Sequence, residues 1–275
     1  MSEPLAESSA LPTPSHPLLD RLWAGYVDDV PYARAFVALH TRHALHARKA
    51  QADTFQNDHI ALRTLARDGE GSGLQVFVPV FASLGWTVKD RYVFPDVHLR
   101  AVYLSHPGLP RIFISELDPR ALPGEARDAL LAQPADPPPP TSTTLLADWF
   151  RAPPPPARAA VDVVAQASQY GAWLLCFGRR VNHFTALVDD VAAWQQRLVE
   201  HGVPMKPDIE GGPIPPGGMG LRQTATAAAD VDVVFADGSI GRRPYAYFEI
   251  AERKGSFDGF LAQQARQLFD QTRPA

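Results

Sequence analysis

Two runs of four prolines, Pro137 to Pro140 and Pro153 to Pro156, constrain this chain more than any other feature. Proline fixes φ and offers no backbone N–H, so neither run can enter a helix interior or a central strand. Each is an extended polyproline segment. A short helical stretch, TLLADWF, lies between them. Residues 133–157 therefore read as a linker carrying a short helix, which divides the chain into two halves of similar size.

The two blocks carry the same order of elements. Residues 1–16 read as a flexible N-terminal tail and 17–56 as a helical region. In that region Ser15 or Asp20 could cap a helix through LLDRLWAGY, and Pro31 opens a longer helix reaching about Asp53. Over 57–132 come a strand (NDHIALRT), a helix (GLQVFVPVFASLGW, with Pro79 inside it) and three strands (TVKDRYVFP, VHLRAVYLS, PRIFISEL). Over 158–275 the order returns: RRVNHFTALV as strand, then DVAAWQQRLVEHG as a helix capped by Asp190 and stopped at Gly202. LRQTATAA, VDVVFAD and AYFEIAER follow as strands, and a last helix runs from about Ser256 to Thr272. The expectation is an α+β fold: two βαβββ modules whose strands form one cupped sheet, with N-terminal and C-terminal helices.

Several classes of function are disfavoured. With 26 basic and 30 acidic residues the formal charge is −4, which gives no basic excess to hold nucleic acid. No apolar run approaches the ~18 residues of a membrane helix. The first residues lack the basic start and apolar stretch of a secretory signal, so a cytoplasmic location is expected. Cys176 is the single cysteine, which excludes an internal disulfide and cysteine-based zinc sites, and no base is evident near it. GGPIPPGGMG has no phosphate-loop spacing and no lysine, and reads either as a loop over a cup mouth or as a plain connector.

Strand alternation sorts the remaining candidates. In DHIALRT, His59 and Arg63 project together, roughly 13 Å apart on an ideal strand. His183 and Thr185 share a face in VNHFTAL, as do Tyr247 and Glu249 in AYFEIAER. Two histidines and one carboxylate are the facial triad of non-haem Fe(II), and a zinc site would use the same atoms. Glu116 competes as a fourth ligand, or else serves as a structural acid; pairing Phe113 with Phe248 sets Ile114 opposite Glu249. Glu252 lies on the other strand face and suits a salt bridge. His40, His43 and His46 step along one helix as a solvated or partly packed face. Gln223 is either a neutral hydrogen-bonding group near a substrate or a strand residue bonded to backbone.

The strings NDHIALRT, GLQVFVPVFASLGW, RIFISEL, VNHFTALV, LRQTATAAADVDVVFADGS and AYFEIAER, in this order, resemble the 2-oxoadipate dioxygenase/decarboxylase family of the vicinal oxygen chelate superfamily. The resemblance implies Fe(II) held by His59, His183 and Glu249, and Arg63 on the distal carboxylate of the substrate. It implies that a 2-oxo dicarboxylic acid and O2 give a 2-hydroxy acid and CO2. This chain is shorter than the longer members. Two other readings keep the same fold: a glyoxalase-type lyase or isomerase with Glu116 as fourth ligand, and a metal-free binder of small acids.

Overall fold

The computed structural model describes residues 11–13, 15–46, 54–67 and 73–260. Leu11–Thr13 form strand β1, followed by helices α1 (Pro17–Asp29) and α2 (Pro31–His46). The first module contains β2 (Thr54–Leu65), α3 (Leu74–Ser83), β3 (Thr87–Phe94), β4 (Leu99–His106) and β5 (Leu109–Leu117). Helices α4 (Gly124–Leu131), α5 (Thr143–Trp149), α6 (Arg158–Ala167) and α7 (Gln169–Phe177) connect it to the second. There β6 (Val181–Leu187), α8 (Val191–Glu200), β7 (Gly220–Ala225), β8 (Ala229–Val234), β9 (Ile240–Ala246) and β10 (Glu249–Lys254) complete the fold.

One curled sheet unites the modules in the order β3-β4-β5-β2-β6-β10-β7, with β1 paired parallel to the start of β2. The join is the antiparallel pair of β2 and β6, the opening strands of the two modules. In each module the opening and closing strands then lie side by side and parallel, β2 with β5 and β6 with β10. Helices α1 and α2 cover the convex side: Trp23 and Phe36 pack on Phe55 and Phe248, and Trp23 also on Phe184. Phe184 and Phe248 alternate with His183 and Glu249, so this packing turns the polar residues to the concave side. Among the described residues no helix is long and apolar enough to cross a membrane.

Several expectations are corrected. The tail contributes β1, because Leu11 to Thr13 find unpaired backbone at Thr54 to Gln56. The cap of α1 is His16, which accepts from the Leu18 N–H, while Ser15 bonds Asp20 instead. VDVVFAD leaves the main sheet. The edge of β10 is taken by β7, so β8 pairs with β9 as a separate two-stranded sheet. AYFEIAER is two strands: Tyr247 and Phe248 link β9 to β10, held by Tyr26 Oη on the Tyr247 carbonyl and by Thr226 on the Phe248 backbone. Helix α7 shows no amphipathic period because eight of its nine residues are buried. Of the expected last helix, residues 256–260 are turn and coil, and the rest lies outside the described residues, as does 47–53 of the expected second helix.

Candidate metal centre

The pairing register decides which side chains meet. His59 on β2 faces Thr185 on β6, and Thr185 pairs with Glu249 on β10, so one row across three strands reads His59, Thr185, Glu249. His183, two residues before Thr185, faces Ala61. His59 Nε2 consequently lies 3.3 Å from His183 Nε2, 3.2 Å from Glu249 Oε1 and 3.1 Å from Thr185 Oγ1. Ligand atoms of His59, His183 and Glu249 all fall within 4.8 Å of one another, and the three residues are buried. The structure thus brings together the three residues singled out from the sequence.

Each histidine is oriented by the residue before it. Asp58 Oδ2 accepts from His59 Nδ1 at 2.8 Å, and Asn182 Oδ1 lies 3.1 Å from His183 Nδ1. Both bonds leave Nε2 turned toward the centre, the arrangement that outer partners impose on metal-binding histidines. Asp58 is held in turn by Arg253, through Nε at 2.6 Å and Nη2 at 2.9 Å, and by Arg111 at 3.3 Å. Sequence reasoning missed both partners. Their signal was the matched dipeptides Asp58-His59 and Asn182-His183 in the opening strands.

Electrostatics separates the two rings. Burial opposes a charge on His59, but hydrogen bonds and charge from Asp58 and Glu249 outweigh it and raise its pKa. Burial, reinforced by the His59 and Arg63 charges, holds His183 well below the ordinary imidazole value. Burial would also raise Asp58, yet His59 and Arg253 hold its carboxyl far below the usual range. Two Nε2 atoms facing each other can share only one proton, and Glu249 Oε2, fully buried, has no hydrogen-bond partner among the described residues. A cation bound by two imidazoles and a carboxylate would take the place of that proton and give the buried carboxylate oxygen a partner. The donor set fits a divalent first-row metal.

A fourth protein ligand is absent from the described cluster for a reason visible in the repeat. Glu116 Oε1 accepts the Leu74 N–H at the start of α3 at 2.7 Å, and Oε2 accepts from Arg100. Glu252 does the same in the second module, accepting the Val191 N–H at the start of α8 at 3.1 Å. Glu116 and Glu252 are therefore equivalent. Counting back three residues in each strand makes Phe113, not Ile114, the counterpart of Glu249. The register agrees, since Phe113 pairs with Ala61 and Glu249 with Thr185, each two residues past a histidine. The carboxylate position of one module is a phenyl ring in the other.

Arg63 is buried, with its guanidinium 4.9 Å from the Tyr170 ring and 5.0 Å from the Trp173 ring. It lines a cavity of about 10 Å³ with Phe113, Asn182, His183 and Tyr247. Tyr247 stacks on His183 at 4.6 Å, and its buried hydroxyl has no hydrogen-bond partner among the described residues. Gln223 pairs with Ala251, two residues from Glu249, and donates to Glu210 at 3.2 Å. Phe260 stands edge-on against His59 at 4.8 Å. Elsewhere, His40 and His43 pack around Trp194, and burial pushes the Cys176 thiol up to about 11, away from nucleophilic use. A larger cavity of about 600 Å³ between α6, α7 and the β8–β9 pair is lined by none of the three clustered residues.

The solved structures it resembles include a glyoxalase superfamily protein from Ralstonia eutropha JMP134 (TM-score 0.74, 24% identity, 89% of this chain and 85% of that one). Another is the hydroxyglutarate synthase of Oryza sativa, solved with 2-oxoadipate (TM-score 0.76, 23% identity, 99% and 97%). These likenesses establish the fold. In sequence the chain is 30% identical over 220 residues to the chloroplastic 2-oxoadipate dioxygenase/decarboxylase of Arabidopsis thaliana, covering 71% of this chain and 58% of that protein. A rice relative of the same description is 28% identical over 278 residues, 92% of this chain and 73% of that one. The family model for 2-oxoadipate dioxygenase/decarboxylase matches residues 18–136 and 144–274. The chain belongs to the 2-oxoadipate dioxygenase/decarboxylase family.

Proposed function

We propose that this protein is an Fe(II)-dependent dioxygenase that converts a 2-oxo dicarboxylic acid resembling 2-oxoadipate, with O2, to a 2-hydroxy acid one carbon shorter and CO2. The observation that carries this reading is the three-ligand cluster, with Phe113 where a fourth ligand would stand. Three ligands on one side leave positions for both a chelating substrate and O2. The reaction balances without another reductant: the oxo acid loses CO2, and the two oxygen atoms of O2 end in the product acid.

Fe(II), when bound, supplies chelation of the 2-oxo and adjacent carboxylate oxygens and activation of O2. His59, His183 and Glu249 hold it, with Asp58 and Asn182 fixing the rings. Arg63 supplies a paired hydrogen-bond donor for the distal carboxylate, and Gln223 a neutral polar group at the site. Phe113 and Phe260 exclude water around the histidines. The 10 Å³ cavity is far smaller than a diacid, so admission requires surrounding side chains to move. The glyoxalase-type reading loses its fourth ligand, because both Glu116 oxygens are engaged elsewhere. The test is anaerobic protein loaded with Fe(II), then assayed for O2 consumption and CO2 release with a panel of 2-oxo acids. Coupled O2 uptake and CO2 release with dicarboxylates is expected; no uptake with any member of the panel would overturn the reading.

A further inference from the structure

Glu210 lies outside the triad but within its electrostatic surroundings. An antiparallel bridge sets it against Gln223: the Glu210 N–H donates to the Gln223 carbonyl at 2.8 Å, and the Gln223 N–H to the Glu210 carbonyl at 3.1 Å. Residues directly opposed in such a bridge send their side chains to one side. Gln223 is opposed in turn to Ala251, and Ala251 shares a strand face with Glu249. Glu210, Gln223 and Glu249 therefore belong to the same concave side. Gln223 Nε2 donates to Glu210 Oε2, while Gln223 Oε1 is buried and has no partner among the described residues.

A carboxyl group facing an amide admits two pairings. Ionised, it only accepts, so it takes the amide NH2 and leaves the amide oxygen on the other side. Protonated, it can donate to the amide oxygen and leave the NH2 there. An incoming carboxylate meets an acceptor in the first state and two donors in the second. We propose that Glu210 is a positioning residue that sets which end of the Gln223 amide faces the site, so that an oxo diacid binds with uptake of one proton at Glu210. This inference rests on the oxo-diacid reading of the site.

Burial is the largest cause raising the Glu210 carboxyl; the charge of Glu249 adds to it, and a cation bound at Glu249 offsets that second cause and leaves the first. The groups facing it are Glu249 and Tyr247 from the β9–β10 segment, Gln223 from β7, and Lys206 and Asp208 from its own segment. Lys206 favours the ionised form and Asp208 the protonated one. Both carboxyl groups of the diacid stay ionised above pH 6, so they contribute no proton of their own.

The experiment is anaerobic calorimetry of 2-oxoadipate binding to the full-length Fe(II)-loaded protein, in two buffers of different ionisation enthalpy at pH 8. The wild type should take up close to one proton per bound diacid, and its Kd should rise by up to about tenfold per pH unit once pH exceeds the Glu210 pKa of the ligand-free protein. Glu210→Gln can present either pairing at any pH, so its proton uptake and the slope of Kd should both vanish. Glu210→Asp keeps a titrating group and should retain part of both. Binding by the wild type without proton uptake overturns the inference even if Glu210→Gln fails to fold, and so does unchanged uptake in Glu210→Gln. If no 2-oxo diacid binds at all, the functional reading falls first and this inference with it.

Discussion

The two modules place nearly the same residues around one centre, and the few positions where they differ give the centre its character. His59 and His183 correspond, as do the helix-capping acids Glu116 and Glu252. At the carboxylate position the first module has Phe113 and the second Glu249. At the orienting position it is the first that carries the charge, Asp58, while the second carries the neutral Asn182. A symmetric pair would give either four ligands or two. Placing the acid in one module only yields three ligands and an apolar wall beside them. Placing the orienting charge on the other module makes His59 the more basic ring and leaves His183 neutral.

The carboxylate position should show the largest contrast. Glu249→Gln replaces an anionic carboxylate ligand with a neutral amide and should weaken metal binding by more than about 100-fold, since outer partners alone are worth roughly 10–100-fold. Phe113→Leu, at the matching position, should leave metal affinity within about threefold, because a phenyl ring contributes no donor. Metal titration of apoprotein measures both. Comparable losses in the two variants would mean that the cluster is organised by packing rather than by the carboxylate.

The orienting pair comes next. Asp58 is fully buried and neutralised by Arg253 and Arg111, so Asp58→Asn strands cations and should cost about 3–5 kcal/mol in urea unfolding at pH 7. Asn182→Asp introduces a buried acid that can escape its penalty by taking a proton, and should cost less, about 1–3 kcal/mol. The pH dependence has a definite sign. The folded pKa of Asp58 lies below its unfolded value, so its contribution is complete above about pH 4 and drains away as pH falls toward the folded value. Asp58→Asn should therefore flatten the acid limb of the stability curve. An unchanged limb would place the acid sensitivity elsewhere.

Sequence legibility follows the same division. The opening strands could be read because alternation puts His59 and Arg63, or His183 and Thr185, on one face regardless of partners. Glu249 was legible for the same reason, although its strand begins only at that residue. What could not be read was pairing. Nothing local says that β7 rather than β8 lies against β10: β8 has the cleaner apolar alternation, yet β7, with Gln223 on its Leu221 face, takes the edge. Nor does local pattern align Phe113 with Glu249. That correspondence emerges only once both acids three residues downstream are seen capping helices. Helices α6 and α7 escaped for opposite reasons, one lying directly after a proline run and the other buried on nearly every side.

The capping acids offer the smallest and most even comparison. Glu116 and Glu252 each accept the first N–H of their module's helix, but the helices differ in other support. Helix α8 has Asp190 as N-cap, accepting from the Ala192 and Ala193 N–H groups at 3.0 Å. Helix α3 has Gly73 at the N-cap position, with no side chain to offer; a Cβ there would stand 1.9 Å from Glu116 Oε1. The glycine is thus required by the same carboxylate that replaces its capping function, and its φ of +60° suits it as well. Glu116 is consequently the sole side-chain cap of α3 among the described residues, whereas Glu252 shares its duty. Both also bond cations: Arg100 for Glu116 and Lys254 for Glu252, each about half exposed and so worth little, with the less exposed Arg222 also reaching Glu252 at 3.4 Å. Glu116→Gln should cost about 1–2 kcal/mol and Glu252→Gln about 0.5–1 kcal/mol. Neither should alter metal content, since both acids point away from the cluster to helix ends. Urea unfolding and metal analysis of the two variants give the comparison directly. A larger loss in Glu252→Gln, or loss of metal in Glu116→Gln, would break the equivalence on which the assignment of Phe113 stands.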